Sequence, residues 1–422
     1  MLSPADFLSI LNPFIDGFNT WLHSLTLADF FMIFWPLIIF DFTRSIGKCL
    51  ILLLHSLYRR IKPGCHVTRD FSPKISLIIP AHNEEKIIVR AIEAALEADY
   101  DNKEVIVVDD GSSDRTYELA YSYAKKGLIK LFRRDVASGS KAGALNFGLL
   151  FATGDIIVTV DADTLIERDA LKEIVKPLSD PRVSAVSGNV MVLRGEHGAN
   201  NLLVKLQAYE YLVSLELGRR FNALINTLLI ISGAFGSFWK EHVVSLGQYD
   251  SDTITEDFDI TLKVRKLGKR LAFADKAVSW TFTPETWRDW RRQRTRWSRG
   301  QIESLWKHRN IFFSRRFDPM LILAVYDMVI MDILLLFIRL GWFIYIFIYM
   351  QQALLYIMLL SVTIYLIIEL IMVLAAEALS PRKRLLRNIY LVPIMTLIYR
   401  PYYSMIRLKA YLEWITQKRS IW

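Results

Sequence analysis

The chain has 422 residues, 53% of them hydrophobic and 13% aromatic, with a mean hydropathy of +0.26. That excludes an ordinary soluble enzyme of this length, because the apolar residues gather at the two ends of the chain. The formal charge of +9 comes largely from basic residues beside those ends, so it reads as membrane-edge charge and not as a nucleic-acid surface.

Residues 1–60 form an N-terminal membrane region. The first 25, "MLSPADFLSILNPFIDGFNTWLHSL", are apolar but carry Asp6, Asp16 and Asn19. Residues 5–25 therefore either span the bilayer or lie along its interface, and they lack the basic start and small-residue cleavage site of a signal peptide. Residues 30–57 are a clear span, since about 20 helical residues cross the hydrocarbon core. Asp41, Arg44 and Lys48 sit inside it, and charges in such a place pair with one another or line a wet path. Arg59, Arg60, Lys62 and Arg69 follow it, which puts the next domain on the cytoplasmic side of a multi-pass protein in the plasma membrane. The two cysteines, Cys49 and Cys65, have the spacing of neither a metal site nor a disulfide framework.

Residues 70–285 are mixed, charged and turn-rich, long enough for one domain with its own core. "KISLIIPAHNEE" (74–85) is a buried strand ending in a polar turn, and a helical pattern follows. "EVIVVDDGSSDRTYELAYSYAKKG" (104–127) and "IIVTVDADTLIERDALKEIVKPL" (156–178) repeat the plan. Strand, loop and helix in succession predict an α/β domain with a mostly parallel sheet flanked by helices. Ligands bind such sheets at the carboxyl ends of the strands. There lie the clusters His82-Asn83-Glu84, Asp109-Asp110 and Asp161-Ala162-Asp163, which makes Glu84, Asp110, Asp161 and Asp163 candidate site residues. No Gly-rich dinucleotide fingerprint and no GxxxxGK[ST] loop is present. Carboxylates where a nucleotide would sit imply a Mg²⁺ or Mn²⁺ ion that screens its phosphates. In "DADT" one carboxylate can bind that cation and the other a sugar hydroxyl. Lys141, which opens a helix after "SGS", can bind a diphosphate together with helix N–H groups.

"LLIISGAFGSFW" (228–239) is an apolar run broken by small residues. Ser232 and Gly233 let a sugar approach the backbone closely, or else mark a bulge in a buried strand. "TITEDFDIT" (253–261) packs Glu256, Asp257 and Asp259 together with no basic residue among them. Acids suit a helix N-terminus; alternatively one of them is a base kept ionised in a pocket. "WRDWRRQRTRWSRGQ" lies in an amphipathic helix over residues 286–310, with Trp287, Trp290, Trp297 and Leu305 on the face expected at the bilayer interface. Residues 318–415 form a C-terminal membrane region of about three spans, at 320–350, 353–379 and 388–412, the last weakened by Arg400 and Pro401. Asp327, Asp332 and Arg339 lie within the first.

Taken in order, "SLIIPAHNEE", "VIVVDDGSSDRT", "SGSKAGALNFGL", "DADT", "TEDFDIT" and "QRTRW" resemble the processive family-2 glycosyltransferases of the GT-A fold. Within them the chain is most similar to the bacterial poly-β-1,6-N-acetylglucosamine synthases, on "FWP", "VSGNV" and "YEYLVSLELGRR". The resemblance implies a processive inverting enzyme that polymerises N-acetylglucosamine from UDP-GlcNAc and exports a β-linked polysaccharide. Hyaluronan, chitin and chitooligosaccharide synthases share these motifs, and a single-sugar transferase acting on a lipid acceptor is the other enzymatic reading. By the same resemblance Asp110 holds uracil, Asp163 binds the metal, and Asp161 lies near ribose and diphosphate. Asp257 is the general base, Arg296 stabilises the leaving UDP, and Gln293 and Trp297 position the acceptor. Glu256, Ser232 and Gly233 complete the expected substrate-binding set. The implied partners are the UDP-sugar, the growing polysaccharide, the lipid bilayer and a small accessory membrane subunit, with no nucleic acid.

Overall fold

The computed structural model describes residues 4–61, 71–194, 201–382 and 388–416; Lys62, Cys65 and Arg69 lie outside them. The soluble body is built on β1 (Ile75–Ala81), β2 (Lys103–Asp110), β3 (Lys130–Arg134), β4 (Ile156–Val160), β5 (Thr164–Ile166), β6 (Val183–Val192), β7 (Phe235–Trp239) and β8 (Arg270–Thr281). They make one eight-stranded sheet in the order β3-β2-β1-β4-β7-β6-β8-β5. β4 is wholly buried and β1 nearly so, which is why both read as unbroken apolar runs and not as alternating ones. Helices Ile88–Glu97, Thr116–Ala124 and Lys141–Phe151 form the crossovers after β1, β2 and β3. Apolar layers cover both sheet faces.

The half that the strand–loop–helix repeats predict is parallel: β3, β2, β1 and β4 all run the same way. The other half is mixed. β7 runs antiparallel to both β4 and β6, β5 runs antiparallel to β8, and β6 and β8 are parallel. A buried strand looks the same in either direction, so composition carries no sign of this. Within "LLIISGAFGSFW" only the second half is strand; Ser232 and Gly233 fall just before β7.

In the turn after β2, Gly111 takes φ +69, and a Cβ there would lie 2.6 Å from the Ala137 backbone nitrogen. A glycine is required on both counts. It brings the Asp110 turn against the loop that leads into the Lys141 helix.

Two helices, Pro319–Tyr349 and Gln351–Leu379, are long and apolar enough to cross a membrane. The expected N-terminal span lies in the helix Leu27–Ile61, which joins Asn12–Ser24 at a bend of 105°; only as a pair do these two meet the same measure. The expected span at 388–412 is not among the helices that meet it. It is broken into a short 3-10 turn, a π-helical turn at Met395–Tyr399 and the helix Arg400–Ile415. Arg400 is drawn inward by Glu369, at 2.7 Å.

The helix Trp287–Lys307 turns much of its tryptophan face to protein, although Trp287 stays 41% exposed. Trp290 is fully buried, donates from Nε1 to the Tyr399 hydroxyl at 2.8 Å, and stacks on Tyr402 with ring centroids 5.6 Å apart. Trp287 lies edge-on to the same Tyr402. That apolar stripe seats the helix on Arg400–Ile415, a protein surface that the helical pattern alone cannot tell from a bilayer.

Candidate active site

The carboxyl ends of β1, β2 and β4 open into a cavity of about 1850 Å³. Glu84, Asp110, Asp161 and Asp163 all line it. Asp109 and Asp110 are adjacent in a strand and so point to opposite faces. Asp109 is fully buried, ion-pairs with Arg133 at 3.3 Å and accepts from the Ser112 N–H, as a turn residue does. Asp110 faces the cavity. Its carboxylate accepts from the Ser138 N–H at 3.0 Å and the Ser138 hydroxyl at 2.6 Å, and pairs with Arg134 at 3.0 Å. That ties strand β2 to the loop preceding Lys141.

Asp163 is oriented by two threonines. Its Oδ1 accepts from the Thr164 hydroxyl at 3.1 Å and the Thr281 hydroxyl at 3.4 Å. Burial pushes both Asp161 and Asp163 above the usual carboxylate range; for Asp161 the Lys141 ammonium opposes that push. Glu84 is pushed up to about 7, by burial first and then by the charges of Asp163 and Asp161. Such a concentration of perturbed acids in a cleft marks a functional site. Among the described residues no group of three or more His, Cys, Asp or Glu has the arrangement to hold an ion. Two hard carboxylates still fit a divalent cation that takes its remaining ligands from phosphates and water, as Mg²⁺ commonly does.

The shift on Glu84 yields a prediction. Its folded pKa of about 7 exceeds the ordinary value of 4.5, so between these values the folded protein holds a proton that the unfolded chain releases. Stability therefore falls as pH rises through that window. Glu84→Gln is expected to be about 1 kcal/mol more stable than the wild type at pH 8, after discounting for partial exposure, with little difference at pH 5. Thermal melts of both proteins at the two pH values measure this; a gain that is equal at both would refute it.

Lys141 is the first residue of its helix, which Ser140 caps by accepting from the Gly143 N–H at 3.2 Å. Its ammonium meets the Asp161 carboxylate, lies 3.5 Å from Glu256, and donates to the Gly233 carbonyl at 3.1 Å. Burial opposes that charge, but the Asp161 and Glu256 carboxylates outweigh it and hold the ammonium above its usual range.

The three acids of "TEDFDIT" open the helix Glu256–Lys266, and successive helical positions diverge by about 100°. They face three different partners. Glu256 turns to Lys141. Asp257 lines the cavity, with Oδ2 accepting from the Gly233 N–H at 3.1 Å and Oδ1 from the Phe258 N–H at 2.7 Å. Asp259 points away, fully buried against His308 and Lys307. The acids thus open a helix, and one of them, Asp257, also faces the cavity. Gly233 sits where a Cβ would lie 3.0 Å from the Lys141 ammonium and 3.1 Å from Asp257 Oδ2, so the small residue allows the close approach. Ser232 lines the same wall.

Gln293, Arg296 and Trp297 line the same cavity. The residue between them that sequence reading missed is Arg294. It is fully buried, donates to Glu210 at 2.6 Å and to Gln293 at 2.9 Å, and lies over the Trp297 ring at 4.2 Å. The Tyr399 hydroxyl also donates to Glu210, at 2.6 Å. Arg294 thus fixes the side chains on either side of it. Arg219 and Tyr211, also missed, line the cavity too. Their only trace in the sequence was the segment "YEYLVSLELGRR".

Residues 76–240 match the model of glycosyl transferase family 2. That stretch is similar to a family-2 glycosyltransferase domain. Over 279 residues the chain is 33% identical to a poly-beta-1,6-N-acetyl-D-glucosamine synthase of Staphylococcus aureus strain COL, covering 65% of this chain and 64% of that protein. The enzyme of the same description from Staphylococcus epidermidis is 32% identical over 232 residues, 55% of each chain. The match thus spans less than two thirds of these relatives. The mannosyltransferase PcManGT of Pyrobaculum calidifontis, solved in complex with GDP-Man and Mn²⁺, shares the fold with a TM-score of 0.60 at 22% identity, over 89% of this chain and 97% of that one. The domain is therefore a GT-A-like mixed sheet flanked by helices, joined to two apolar helices that can span a membrane.

Proposed function

We propose that this chain is a multi-pass plasma-membrane polymerase, its transferase domain cytoplasmic, that adds N-acetylglucosamine units from UDP-GlcNAc to a β-linked polysaccharide and passes the product into the membrane region. One observation carries this reading. The cavity lined by Asp110, Asp163 and Asp257 continues past Arg296 and Trp297 to Asp41, Arg339 and Tyr365 among the apolar helices. A polysaccharide needs such a route, because its hydroxyls cannot be left without partners in lipid. The curated relatives, named as synthases of such a polymer, support it. So do the residues that sequence reading placed in roles, which lie around one space.

In this mechanism Asp110 holds the nucleobase, and Lys141 with its helix N-terminus receives the diphosphate. Asp163, with Asp161 beside it, would hold Mg²⁺ or Mn²⁺, which would supply positive charge to screen the phosphates; the Mn²⁺ of the solved mannosyltransferase complex supports a divalent ion. Asp257 takes the proton of the acceptor hydroxyl as that oxygen attacks the anomeric carbon from the face opposite UDP, which inverts the configuration. Arg296 meets the charge that develops on the departing diphosphate. Trp297 and Gln293, held by Arg294, seat the acceptor sugar. The pairs Arg44–Asp327, Arg339–Asp41 and Arg407–Asp332 keep the charges along the route compensated.

Turnover of the protein in nanodiscs with UDP-GlcNAc and Mg²⁺ or Mn²⁺, reading free UDP and product size together, tests this. A long polymer is expected. A one-sugar lipid product would replace the polymerase with a lipid-acceptor transferase, and incorporation of a different UDP-sugar would point to a hyaluronan- or chitin-type enzyme. No UDP release from any UDP-sugar would end the reading.

A further inference from the structure

The cavity that Asp257 lines also carries a guanidinium with no role in the scheme above. Arg219 closes a π-helical stretch, Ser214–Arg219, that continues the helix Leu202–Val213. A π turn inserts residues off the α-helical spacing, re-aims the side chains after it, and is frequent at functional sites. Here it turns Arg219 into the cavity that also holds Asp257, Tyr211 and Trp297, while its neighbour Arg220 pairs with the buried Glu216 and with Asp275.

Arg219 is held in place. Its Nη1 donates to the Ser187 hydroxyl at 2.8 Å, and the same oxygen accepts from the Ser232 N–H at 3.3 Å. Ser232 adjoins Gly233, whose N–H donates to Asp257. One short chain of contacts therefore fixes the guanidinium relative to the base. Burial lowers the arginine's proton affinity, and the charge of Asp257 is the first influence that restores it, so the two groups sense each other across the same space. A guanidinium has five N–H donors and no acceptor. Ser187 takes one. A fixed cation with further N–H donors is suited to an uncharged oxygen acceptor on a sugar, and sets a like charge against an ammonium placed in the same position.

We propose that Arg219 is a specificity residue of the acceptor site, donating to the acetamido carbonyl of the terminal sugar whose hydroxyl Asp257 activates. It thereby selects N-acetylated termini over free-amine termini. The inference rests on the transferase reading given above. Two effects act together: the hydrogen bond to the carbonyl favours the acetylated end, and repulsion between guanidinium and ammonium disfavours the other. A site built to donate to a substrate group rejects the analogue lacking it, and like charges placed close together add to the rejection.

The test is direct binding, which does not depend on turnover. Oligosaccharides ending in N-acetylglucosamine or in glucosamine are titrated in the presence of UDP and Mn²⁺ into wild type, Arg219→Gln, Arg219→Ala and Ser187→Ala. Wild type is expected to bind the acetylated end at least about 10-fold more tightly. Arg219→Gln keeps a donor and loses the charge, so part of the preference remains; Arg219→Ala loses nearly all of it, and Ser187→Ala some. UDP affinity stays at the wild-type value in all of them. If Arg219→Ala does not fold, Arg219→Gln and Ser187→Ala still decide the matter. An unchanged preference in these variants, or a wild type with none, overturns the proposal. A wild type that binds no UDP overturns the transferase reading itself, and with it this inference.

Discussion

Asp257→Asn is expected to slow glycosyl transfer by about 10²- to 10⁴-fold, the usual worth of a positioned general base. The amide has the shape of the carboxylate, and its oxygen can still accept from the Gly233 N–H that Asp257 meets at 3.1 Å. The loop before β7 therefore stays where it is, as does the Lys141 ammonium bonded to the Gly233 carbonyl. What is lost is the ability to take a proton, together with the local bond that Oδ1 accepts from the Phe258 N–H at 2.7 Å. Nucleotide affinity should remain within about a factor of two, because the base meets substrate at the acceptor hydroxyl and its loss removes an interaction of the transition state. Single-turnover UDP release and UDP titration measure the two quantities separately. A variant that keeps more than about a tenth of the wild-type rate would place the base elsewhere.

Asp259→Ala is expected to cost stability, by about 1–3 kcal/mol, because it leaves the buried His308 N–H without its acceptor and takes one carboxylate from Lys307 and Lys263. Asp259 is fully buried at the first turn of the base helix. Oδ1 is 2.9 Å from His308 Nε2 and 3.0 Å from the Lys307 ammonium, and Oδ2 is 3.8 Å from Lys263. On its other side His308 meets the Lys266 ammonium through Nδ1 at 2.7 Å. That nitrogen accepts, so Nε2 carries the proton it gives to Asp259. Lys307 reaches on to Asp250 and Asp252, at 2.5 and 2.6 Å, and so the cluster pins the loop before Asp257 to the end of the helix bearing Arg296. Removing its centre loosens both sides of the site. Thermal unfolding in detergent at neutral pH reads the effect; a melt equal to that of the wild type would mean that water compensates the cations. Burial pushes this carboxyl up, but hydrogen bonds from His308 and Lys307 outweigh it and hold it below the usual range. Its contribution is therefore present at neutral pH and lost only as pH falls through its lowered folded value, below 3.8.

These two acids lie two positions apart in one short motif, and their separation shows where sequence reading stops. Helical spacing says that Glu256, Asp257 and Asp259 face different ways. It does not say that Lys141, the open cavity and His308 are what they face, since those partners arrive from elements far along the chain. Trp290 gives the same lesson. Its place on an apolar stripe was legible, yet the stripe meets Tyr399 and Tyr402 where a lipid surface would have produced the same pattern.

Several features were determined by the sequence alone. Apolar runs ending in acidic turns dictate buried strands with carboxylates at one edge, because a strand covered on both faces has no room for polar residues until it leaves the sheet. The long apolar segments at 320–350 and 353–379 likewise became helices able to span a bilayer, since length and hydropathy settle that by themselves. Tertiary structure decided the rest: the reversed direction of β7, the 105° bend that joins the N-terminal helix to Leu27–Ile61, the burial of Arg294 between Glu210 and Trp297, and the turning of Arg219 toward the base. Each depends on a contact between groups far apart in the chain, or on a π turn whose residues have no distinctive composition. Local pattern records what a residue can bury or expose, and only the packed chain supplies the partner.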